Sequence, residues 1–579
     1  MESRKKRMLR SAEWILFALI LLVYPLRHIR RGVDLWDGGY NYANFRYSGL
    51  TFMDSMWYFA TWAANGVGSL FSALPFGDTC IGMNVYTGLV ISAMSITAFF
   101  FCVRKLKMPA WMVFLAEIVA MSMCWAPSAM LYSYLTYAFL LAGTILLYLG
   151  LWRDKNSYLI VAGVILGLNV GNRFSNLVQT GLILAVWLYG ILDKKKFRRV
   201  LQQTGFCALG YVGALAVFLG IMALKYGLSD YVEGILRLFQ MTEHADDYTP
   251  GRMLLGMVWA YYDCTYFLKR LAVALGVALL ACVILPKSWR IAKKIMTVLA
   301  MAGLCVWLIN NRFYSQDYAA YTSVYYPSVT VLTLTLCLSF YRLVDKQAQK
   351  ENKLLGILLI LTILITSLGG NNAIYSSINN LFLVLPGFFW MVWCLWREKK
   401  HILAFPFQCI LLVPVLFLTV QSIPFGQGFV YEEAAGGRNL TAVVEEVPVL
   451  RGMKTSPEKA AALTQLYQYL QQNHLGDKKC ILYGQIPGIA YYMELEPALN
   501  IWSDLRSYDY KVMEQDLNRV EDRPLIILTA ECAGYVTDGN GEGLFWDSTA
   551  EDKMKLLCTY IEENGYELTY TNEKFAVYE

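Results

Sequence analysis

Long apolar runs separated by short polar breaks fill residues 12–420, and this pattern constrains the fold more than any other feature of the chain. Each run approaches the roughly 20 apolar residues that an α-helix needs to cross the hydrocarbon core of a bilayer. Only 16% of the residues are charged, whereas a typical soluble domain has about 25%. The sequence therefore predicts an all-α polytopic membrane protein with about 13 transmembrane helices.

The hydropathy pattern places these spans at intervals along the first three quarters of the chain. They cover residues 12–27, 84–103, 110–130, 131–151, 157–172, 176–192, 203–224, 268–286, 295–310, 323–341, 354–369, 380–396 and 403–421. We expect the first span to remain in the protein, because no small-residue cleavage site follows Tyr24 and Pro25.

Two domains follow from the change in composition near residue 424. Residues 1–424 form the predicted transmembrane domain, which has a long first outer loop at 28–83. Residues 425–579 have an ordinary soluble composition and predict a small α/β domain. Its signals are a helix after Ser456 and Pro457, strands at KKCILYG and RPLIILTA, a helix over 549–565 and a terminal hairpin.

Lysine and arginine divide the loops into two alternating sets. Short basic loops such as DKKKFRR and PKSWRIAKK are typical of cytoplasmic loops. The loop 28–83 and residues 425–579 fall in the opposite set. We therefore expect a cytoplasmic N-terminus, an extracytoplasmic C-terminal domain and, since no eukaryotic targeting signal is seen, a bacterial plasma membrane. Arg27, Arg30 and Arg31 break this pattern, and we expect something negative to offset them.

The loop 28–83 carries the first candidate for chemistry, RRGVDLWDGGYNYANF, in which Asp34 and Asp37 stand among glycines and aromatic residues. One interpretation is that Asp37 caps the helix that follows, which is a common use of aspartate. The other is that Asp37 lies at the mouth of a cavity as a general base that takes a proton from a hydroxyl group.

The segment GLNVGNRFSNLVQTG contains the second candidate, Arg173, flanked by Asn172 and Asn176. An arginine near lipid requires an anionic or carbonyl partner, and its fork of donors suits phosphate. The alternative is an arginine that extends to the lipid headgroups.

Other outer loops contain further candidates. Arg252 is a candidate to contact a phosphate, and Glu243, His244, Asp246 and Asp247 are a minor candidate for a divalent cation. Arg312 stands among tyrosines that suit either sugar contact or the membrane interface. The cysteines show no ligand spacing typical of zinc.

These motifs resemble those of membrane glycosyltransferases of the GT-C class, in particular bacterial mannosyltransferase-like and arabinosyltransferase-like enzymes that use polyprenyl-phosphate sugars. The hallmark of the class is a long first outer loop with interfacial helices and an acidic motif, often Asp-Glu followed by an aromatic residue, just after the first span. In LWDGGYNY, Asp37 matches the Asp, and Gly38 stands where Glu is usual. GLNVGNRFSN is similar to an Arg-Phe-x-Asn segment of related bacterial proteins.

The resemblance implies an integral-membrane hexosyl- or pentosyltransferase, inverting and metal-independent, with a divalent cation as the fallback. Asp37 would be the base, with Asp34 replacing the missing Glu. Arg173, Arg31, Arg252 and Arg312 would hold the donor phosphate, and Tyr40, Asn172 and Asn176 would contact the substrate. The expected partners are a polyprenyl-phosphate-linked sugar, a cell-envelope acceptor (a glycan, lipid or protein) and membrane lipids, with no nucleic acid.

Two alternatives remain open from the sequence. A transporter or flippase of lipid-linked sugars would show charged or broken segments at mid-membrane in paired positions, and apart from Glu117 the predicted spans carry few such charges. The second alternative is a GT-C-like protein that has lost catalysis and acts as a scaffold, because Gly38 stands where the acidic motif of the class usually has Glu.

Overall fold

The computed structural model describes residues 2–47, 56–125, 128–237, 250–368, 372–433, 439–502, 504, 510–539 and 548–579. Its main part is a helical bundle, and a small α/β unit follows the last long helix. The helices of the bundle are α1 Glu2–Val23, α2 Asp37–Arg46, α3 Met56–Ala60, α4 Trp62–Ser72, α5 Cys80–Arg104, α6 Ala110–Ser122, α7 Leu131–Arg153, α8 Asn156–Asn172, α9 Leu184–Leu192, α10 Phe197–Lys225, α11 Leu228–Arg237, α12 Pro250–Asp263, α13 Thr265–Ile284, α14 Arg290–Asn310, α15 Thr322–Val344, α16 Lys350–Ser367, α17 Ala373–Asn379, α18 Val384–Glu398 and α19 Ala404–Gly428. The 3-10 helices Tyr24–His28 and Phe174–Ile183 extend α1 and precede α9.

Within the described ranges, nine helical segments are long and apolar enough to cross a membrane, or ten if the bent pair α17 and α18 forms one broken span. These properties describe a multi-pass membrane protein. The expected number of about 13 spans is not confirmed, although a helix lies at each predicted position. Helices α6 and α8 have 13 and 17 residues, which is short for a span. Helix α16 is not among the candidate spans, and its first turn contains the charged residues Lys350, Glu351 and Lys353.

Glycines allow α8 and α10 to pack backbone to backbone. A Cβ atom at Gly163 would lie 2.0 Å from the carbonyl oxygen of Cys207, and one at Gly210 would lie 2.1 Å from the carbonyl oxygen of Ile160. Small residues at helix contacts of this kind replace the hydrophobic driving force that lipid does not supply. This contact fixes the position of α8, whose C-terminal end precedes Arg173.

The C-terminal unit contains the elements that its sequence predicts and several more. They are β1 Ala442–Val443, β2 Lys454–Thr455, α20 Pro457–Gln472, β3 Cys480–Tyr483, α21 Gly488–Tyr492, α22 Tyr510–Leu517, β4 Leu525–Thr529, α23 Ala530–Asp538, α24 Ser548–Glu563, β5 Leu568–Thr571 and β6 Phe575–Tyr578. The main sheet has the order β3-β4-β6-β5, in which β3 and β4 are parallel and β6 is antiparallel to both neighbours. The predicted strands and terminal hairpin are confirmed. The predicted boundary at residue 424 falls inside α19, which continues to Gly428.

The loop after α1 is attached to the C-terminal unit rather than lying free. A Cβ atom at Gly39 would lie 2.2 Å from the Cα atom of Gly488, so α2 and α21 touch through their backbones. The amide of Gly488 donates to the carbonyl oxygen of Leu35 at 2.9 Å, and the hydroxyl of Tyr492 donates to the carbonyl oxygen of Asp34 at 2.6 Å. The C-terminal unit therefore determines where the two aspartates lie.

Candidate active site

A cavity of about 150 Å³ lies where the membrane helices meet the C-terminal unit. Its walls come from the 3-10 helix that follows α1 and the loop after it, from α2, α5, α6, α7 and α19, and from Leu450, Met453 and Tyr492 of the C-terminal unit. Two of the predicted site residues, Arg31 and Asp34, line it. Asp37 is not among the described lining residues, but its carboxylate accepts a hydrogen bond from Tyr431, which lines the cavity.

Asp34 is buried, with 8% of its surface exposed, and its carboxylate caps the N-terminus of α2. Oδ1 accepts from the amide of Trp36 at 2.8 Å, and Oδ2 accepts from the amide of Gly38 at 2.6 Å. The cap that the sequence offered to Asp37 is thus supplied by Asp34. Burial, followed by the nearby charge of Asp37, raises the pKa of Asp34 to about 7.

Gly38 is adapted to this cap. A Cβ atom at position 38 would lie 2.8 Å from Oδ2 of Asp34. Any side chain there has to displace the carboxylate that caps α2. The glycine at the place of the usual Glu is therefore explained by the local packing of Asp34.

Asp37 is half-buried and has a partner from a distant part of the chain. The hydroxyl of Tyr431, three residues after the end of α19, donates to its Oδ2 at 2.5 Å. Burial raises the pKa of Asp37, and this hydrogen bond lowers it in part. Burial and the neighbouring Asp37 also raise the pKa of Tyr431. Asp34 accepts its hydrogen bonds from backbone amides at the start of α2. Among the described residues, the carboxylate of Asp37 accepts instead from the side chain of Tyr431.

The two glutamates after Tyr431 have different environments. Glu433 is buried, and its Oε1 accepts from Thr455 at 2.7 Å and from Nζ of Lys459 at 3.1 Å. The same lysine donates to the carbonyl oxygen of Val33 at 3.1 Å. Glu432 has a backbone φ of 54°, and partial burial of its carboxyl and the charge of Asp37 raise its pKa. The segment 431–433 thus secures the acidic loop and brings a third carboxylate near Asp37.

Sequence reasoning did not select Tyr431 or Glu432, which stand nearly 400 residues from Asp37 in the chain. The available signal was the acidic FVYEE directly after the last long apolar run. It marks a segment that leaves the membrane beside the site, but nothing in the sequence pairs it with the first loop.

Arg27, His28 and Arg31 form the basic wall of the cavity. Nε of Arg27 lies 2.6 Å from Nε2 of His28, and a terminal nitrogen of Arg31 lies 2.8 Å from Nδ1 of the same ring. Burial lowers the pKa of Arg31. The arginines that break the loop-charge pattern therefore gather at the cavity, except Arg30, whose side chain is exposed.

Arg173 lies elsewhere, at the end of α8, with its guanidinium 5.5 Å from the centre of the Tyr132 ring. It is not among the described residues that line the cavity. Asn176 donates to Oγ1 of Thr136 at 2.7 Å, and Asn172 donates to Oδ1 of Asn169 at 3.1 Å. These amides link α7 and α8 to the 3-10 segment that follows.

The remaining predicted residues are dispersed. Tyr40 is buried on α2, and its ring lies 4.9 Å from that of Trp502 in the C-terminal unit. Arg312 is exposed in the turn after α14, where its φ is 62°. Arg252 belongs to α12, but its side chain lies outside the described residues, as do residues 243–247. Their assignments stay predictions.

The acidic residues do not fit a metal ion well. Both oxygens of Asp34 are engaged by backbone amides, and Oδ2 of Asp37 is engaged by Tyr431. In the described part of the chain, no group of three or more His, Cys, Asp or Glu residues is arranged to hold a metal ion.

Comparison with known proteins gives matches to solved structures only. No family model and no curated protein matches the sequence. The fold is similar to that of the oligosaccharyltransferase of Archaeoglobus fulgidus tethered to an acceptor peptide (10% identity, TM-score 0.47, 100% of this chain and 74% of that one). It is also similar to the same enzyme with Zn and sulfate (11%, 0.46, 98% and 72%) and with an inhibitory peptide and dolichol-phosphate (11%, 0.41, 92% and 71%). At these scores the likeness does not bear on function, which has to rest on this chain's own residues.

Proposed function

We propose that this protein is an integral-membrane glycosyltransferase of the GT-C kind that moves a sugar from a polyprenyl-phosphate donor to a cell-envelope acceptor on the outer face of a bacterial plasma membrane. The observation that carries the proposal is the position of Asp37. Its half-buried carboxylate accepts a hydrogen bond from Tyr431, which lines the same cavity as the basic residues Arg27 and Arg31. A base beside a phosphate site is what glycosyl transfer from a lipid phosphate requires.

The reaction joins an acceptor hydroxyl to the anomeric carbon of the sugar. The hydroxyl oxygen attacks that carbon and transfers its proton to the carboxylate of Asp37. The bond between the anomeric carbon and the phosphate oxygen breaks, and its electron pair leaves with the polyprenyl phosphate. Attack opposite the leaving group inverts the anomeric configuration. The proposed reaction needs no metal ion.

Phosphate leaving groups are stabilised by fixed positive charge placed where the negative charge develops. Arg31 is so placed, because it lines the cavity with Asp34. Arg173, Arg252 and Arg312 stay candidates for the path of the donor, and Tyr40, Asn172 and Asn176 for substrate contact.

The proposal is tested with the full-length protein in vesicles that contain polyprenyl-phosphate hexoses and pentoses together with a cell-envelope extract. We expect sugar to move from the lipid into an acceptor fraction, with stoichiometric formation of free polyprenyl phosphate. Movement of the intact sugar lipid across the bilayer with no free polyprenyl phosphate formed would contradict the proposal and favour a flippase. Absence of both activities with every donor would contradict it in favour of a scaffold.

A further inference from the structure

We propose that Arg27, His28 and Arg31 form a preorganised binding seat for the phosphate of a lipid phosphate ester. In the transferase proposed above, on which this last step rests, the seat holds the phosphate of the sugar donor. Arg27 and His28 are thereby added to the site, and the donor phosphate is placed at the end of the first span rather than at Arg173.

The three side chains contain more hydrogen-bond donors than their contacts accept. A guanidinium has five N–H donors and no acceptor, and a neutral imidazole has one donor and one acceptor. Both ring nitrogens of His28 face guanidinium nitrogens, at 2.6 Å and 2.8 Å. A neutral ring can accept from only one of them, because its other nitrogen carries the proton that it donates to the backbone of Gly426, and the guanidinium at that nitrogen finds no acceptor there. An anion with several acceptor oxygens would relieve this arrangement.

No carboxylate in the described part of the chain forms an ion pair with the guanidinium of Arg27 or Arg31. Both side chains are nevertheless partly withdrawn from solvent. Charged groups in such positions are normally paired. The charge pattern therefore calls for an anion that enters the cavity.

Contacts that do not involve an anion hold the two arginines in position. The guanidinium of Arg27 lies over the ring of Tyr24, 3.4 Å from its centre, and donates to the carbonyl oxygen of Tyr24 at 3.1 Å. The backbone on either side of Arg31 pairs with Lys454, whose amide donates to Arg30 and whose carbonyl oxygen accepts from Gly32. Side chains that are already fixed in position before binding lose less conformational entropy when the ligand binds.

The walls of the cavity favour a lipid ester over free phosphate. Pro25, Ile91, Met121 and Phe425 line the same space from the membrane helices and offer apolar surface next to the seat. Asp34 and Tyr431 line it as well. A phosphate at the seat thus has hydrocarbon surface within the same cavity for its chain, and Asp37, bonded to Tyr431, near its sugar.

The test is equilibrium binding of two probes, dodecyl phosphate and inorganic phosphate, to the full-length protein in a neutral detergent, measured by calorimetry. We expect saturable binding of dodecyl phosphate, weaker binding of inorganic phosphate, and at least a tenfold loss of dodecyl phosphate affinity in Arg27→Gln and Arg31→Gln. Arg153→Gln is the matched control, because Arg153 also lies over a tyrosine ring, that of Tyr158, but away from the cavity. Arg31→Lys, which keeps the charge and loses the fork, should lie between wild type and Arg31→Gln.

Several outcomes would overturn the seat or its role. Wild-type affinity in both glutamine variants, or no saturable binding by the wild type, would overturn the seat. Equal affinity for both probes would overturn the lipid-ester assignment and favour free phosphate. Loss of binding in Arg27→Gln with unchanged transfer from the sugar donor would overturn the donor assignment and leave the transferase intact. Specific phosphate binding without transfer from any donor would support the seat and reject the transferase.

Discussion

Asp34 and Asp37 are separated by only two residues, yet they have different partners. Both oxygens of Asp34 accept from backbone amides at the start of α2, so its carboxylate stabilises the local fold. Asp37 accepts from the hydroxyl of Tyr431. Of the two, Asp37 is the one whose carboxylate does not cap the helix, and we assign it the role of base.

Tyr431 should set the pH at which Asp37 becomes active. Its hydrogen bond favours the ionised carboxylate and so lowers a pKa that burial raises. Removing it in Tyr431→Phe should raise the pKa further and move the acidic limb of the pH–kcat/KM profile to higher pH. Hydrogen bonds to charged groups are worth about 1.5–3 kcal/mol, which corresponds to a shift of roughly 1–2 pH units. The measurement is transfer rate against pH.

Tyr86→Phe is the control for this shift, since the hydroxyl of Tyr86 donates to the carbonyl oxygen of Pro75, away from the cavity. Its profile should superimpose on that of the wild type. A Tyr431→Phe profile that is unshifted, or shifted to lower pH, would contradict the role given to the hydrogen bond.

Chelation should leave the reaction unaffected, because the oxygens of Asp34 are engaged by amides and one oxygen of Asp37 by a hydroxyl. We expect the transfer rate of protein pretreated with EDTA to equal that of untreated protein within about a factor of two, whereas an essential metal is worth several kcal/mol of transition-state stabilisation. A loss of activity that added Mg²⁺, Mn²⁺ or Zn²⁺ restores would show that the carboxylates rearrange to bind a metal.

At the scale of the elements, the site depends on the contact between α2 and α21. Gly39 and Gly488 allow the two helices to touch, and Leu35 and Asp34 accept hydrogen bonds from Gly488 and Tyr492. The acidic loop is thereby attached to a unit more than 400 residues further along the chain. The first loop contains helices, as the resemblance to the GT-C class implies, but no sequence pattern indicated this attachment.

Gly39→Ala should weaken that contact, because the new Cβ atom would meet backbone atoms of Gly488 at 2.2 Å and 2.5 Å. Overpacking of this kind costs about 1–3 kcal/mol, and we expect a lower Tm and reduced transfer. Gly66→Ala is the matched control, because position 66 of α4 faces open space and alanine favours a helix over glycine by up to about 1 kcal/mol. Equal Tm values for the two variants would refute the close contact.

At the scale of the whole molecule, the sequence predicted what local patterns encode. Apolar runs located the helices, and the turn and strand signals located β3, β4, α20, α24 and the terminal hairpin. The number of about 13 spans is not confirmed, because α6 and α8 are apolar but short and α16 begins with charged residues. The pairing of Tyr431 with Asp37, and of Lys454 with the backbone beside Arg31, depends on tertiary contacts between the chain's two ends, which no local periodicity records.

The two ends are also joined by the buried pair of Lys459 and Glu433, with Nζ 3.1 Å from Oε1. Lys459→Met would leave Glu433 buried without its cation, and breaking such a pair costs about 3–5 kcal/mol. We expect a clear decrease in Tm. In the control Lys478→Met, an exposed lysine loses its partner, the half-buried Glu579 at 3.6 Å, and the cost should be about 0–1 kcal/mol. Similar Tm values for the two variants would argue against a buried connection.

The central claim is that Asp37 is the base of a glycosyl transfer, and Asp37→Asn tests it most directly. Asparagine keeps an oxygen for Tyr431 but cannot take the proton, so we predict an unchanged Tm and a loss of kcat of about 10²–10⁴-fold, the usual contribution of a general base. Asp34→Asn, by contrast, should lower Tm, since one amide of α2 would face an NH₂ group. Transfer by Asp37→Asn at the wild-type rate, with the protein folded, would contradict the account.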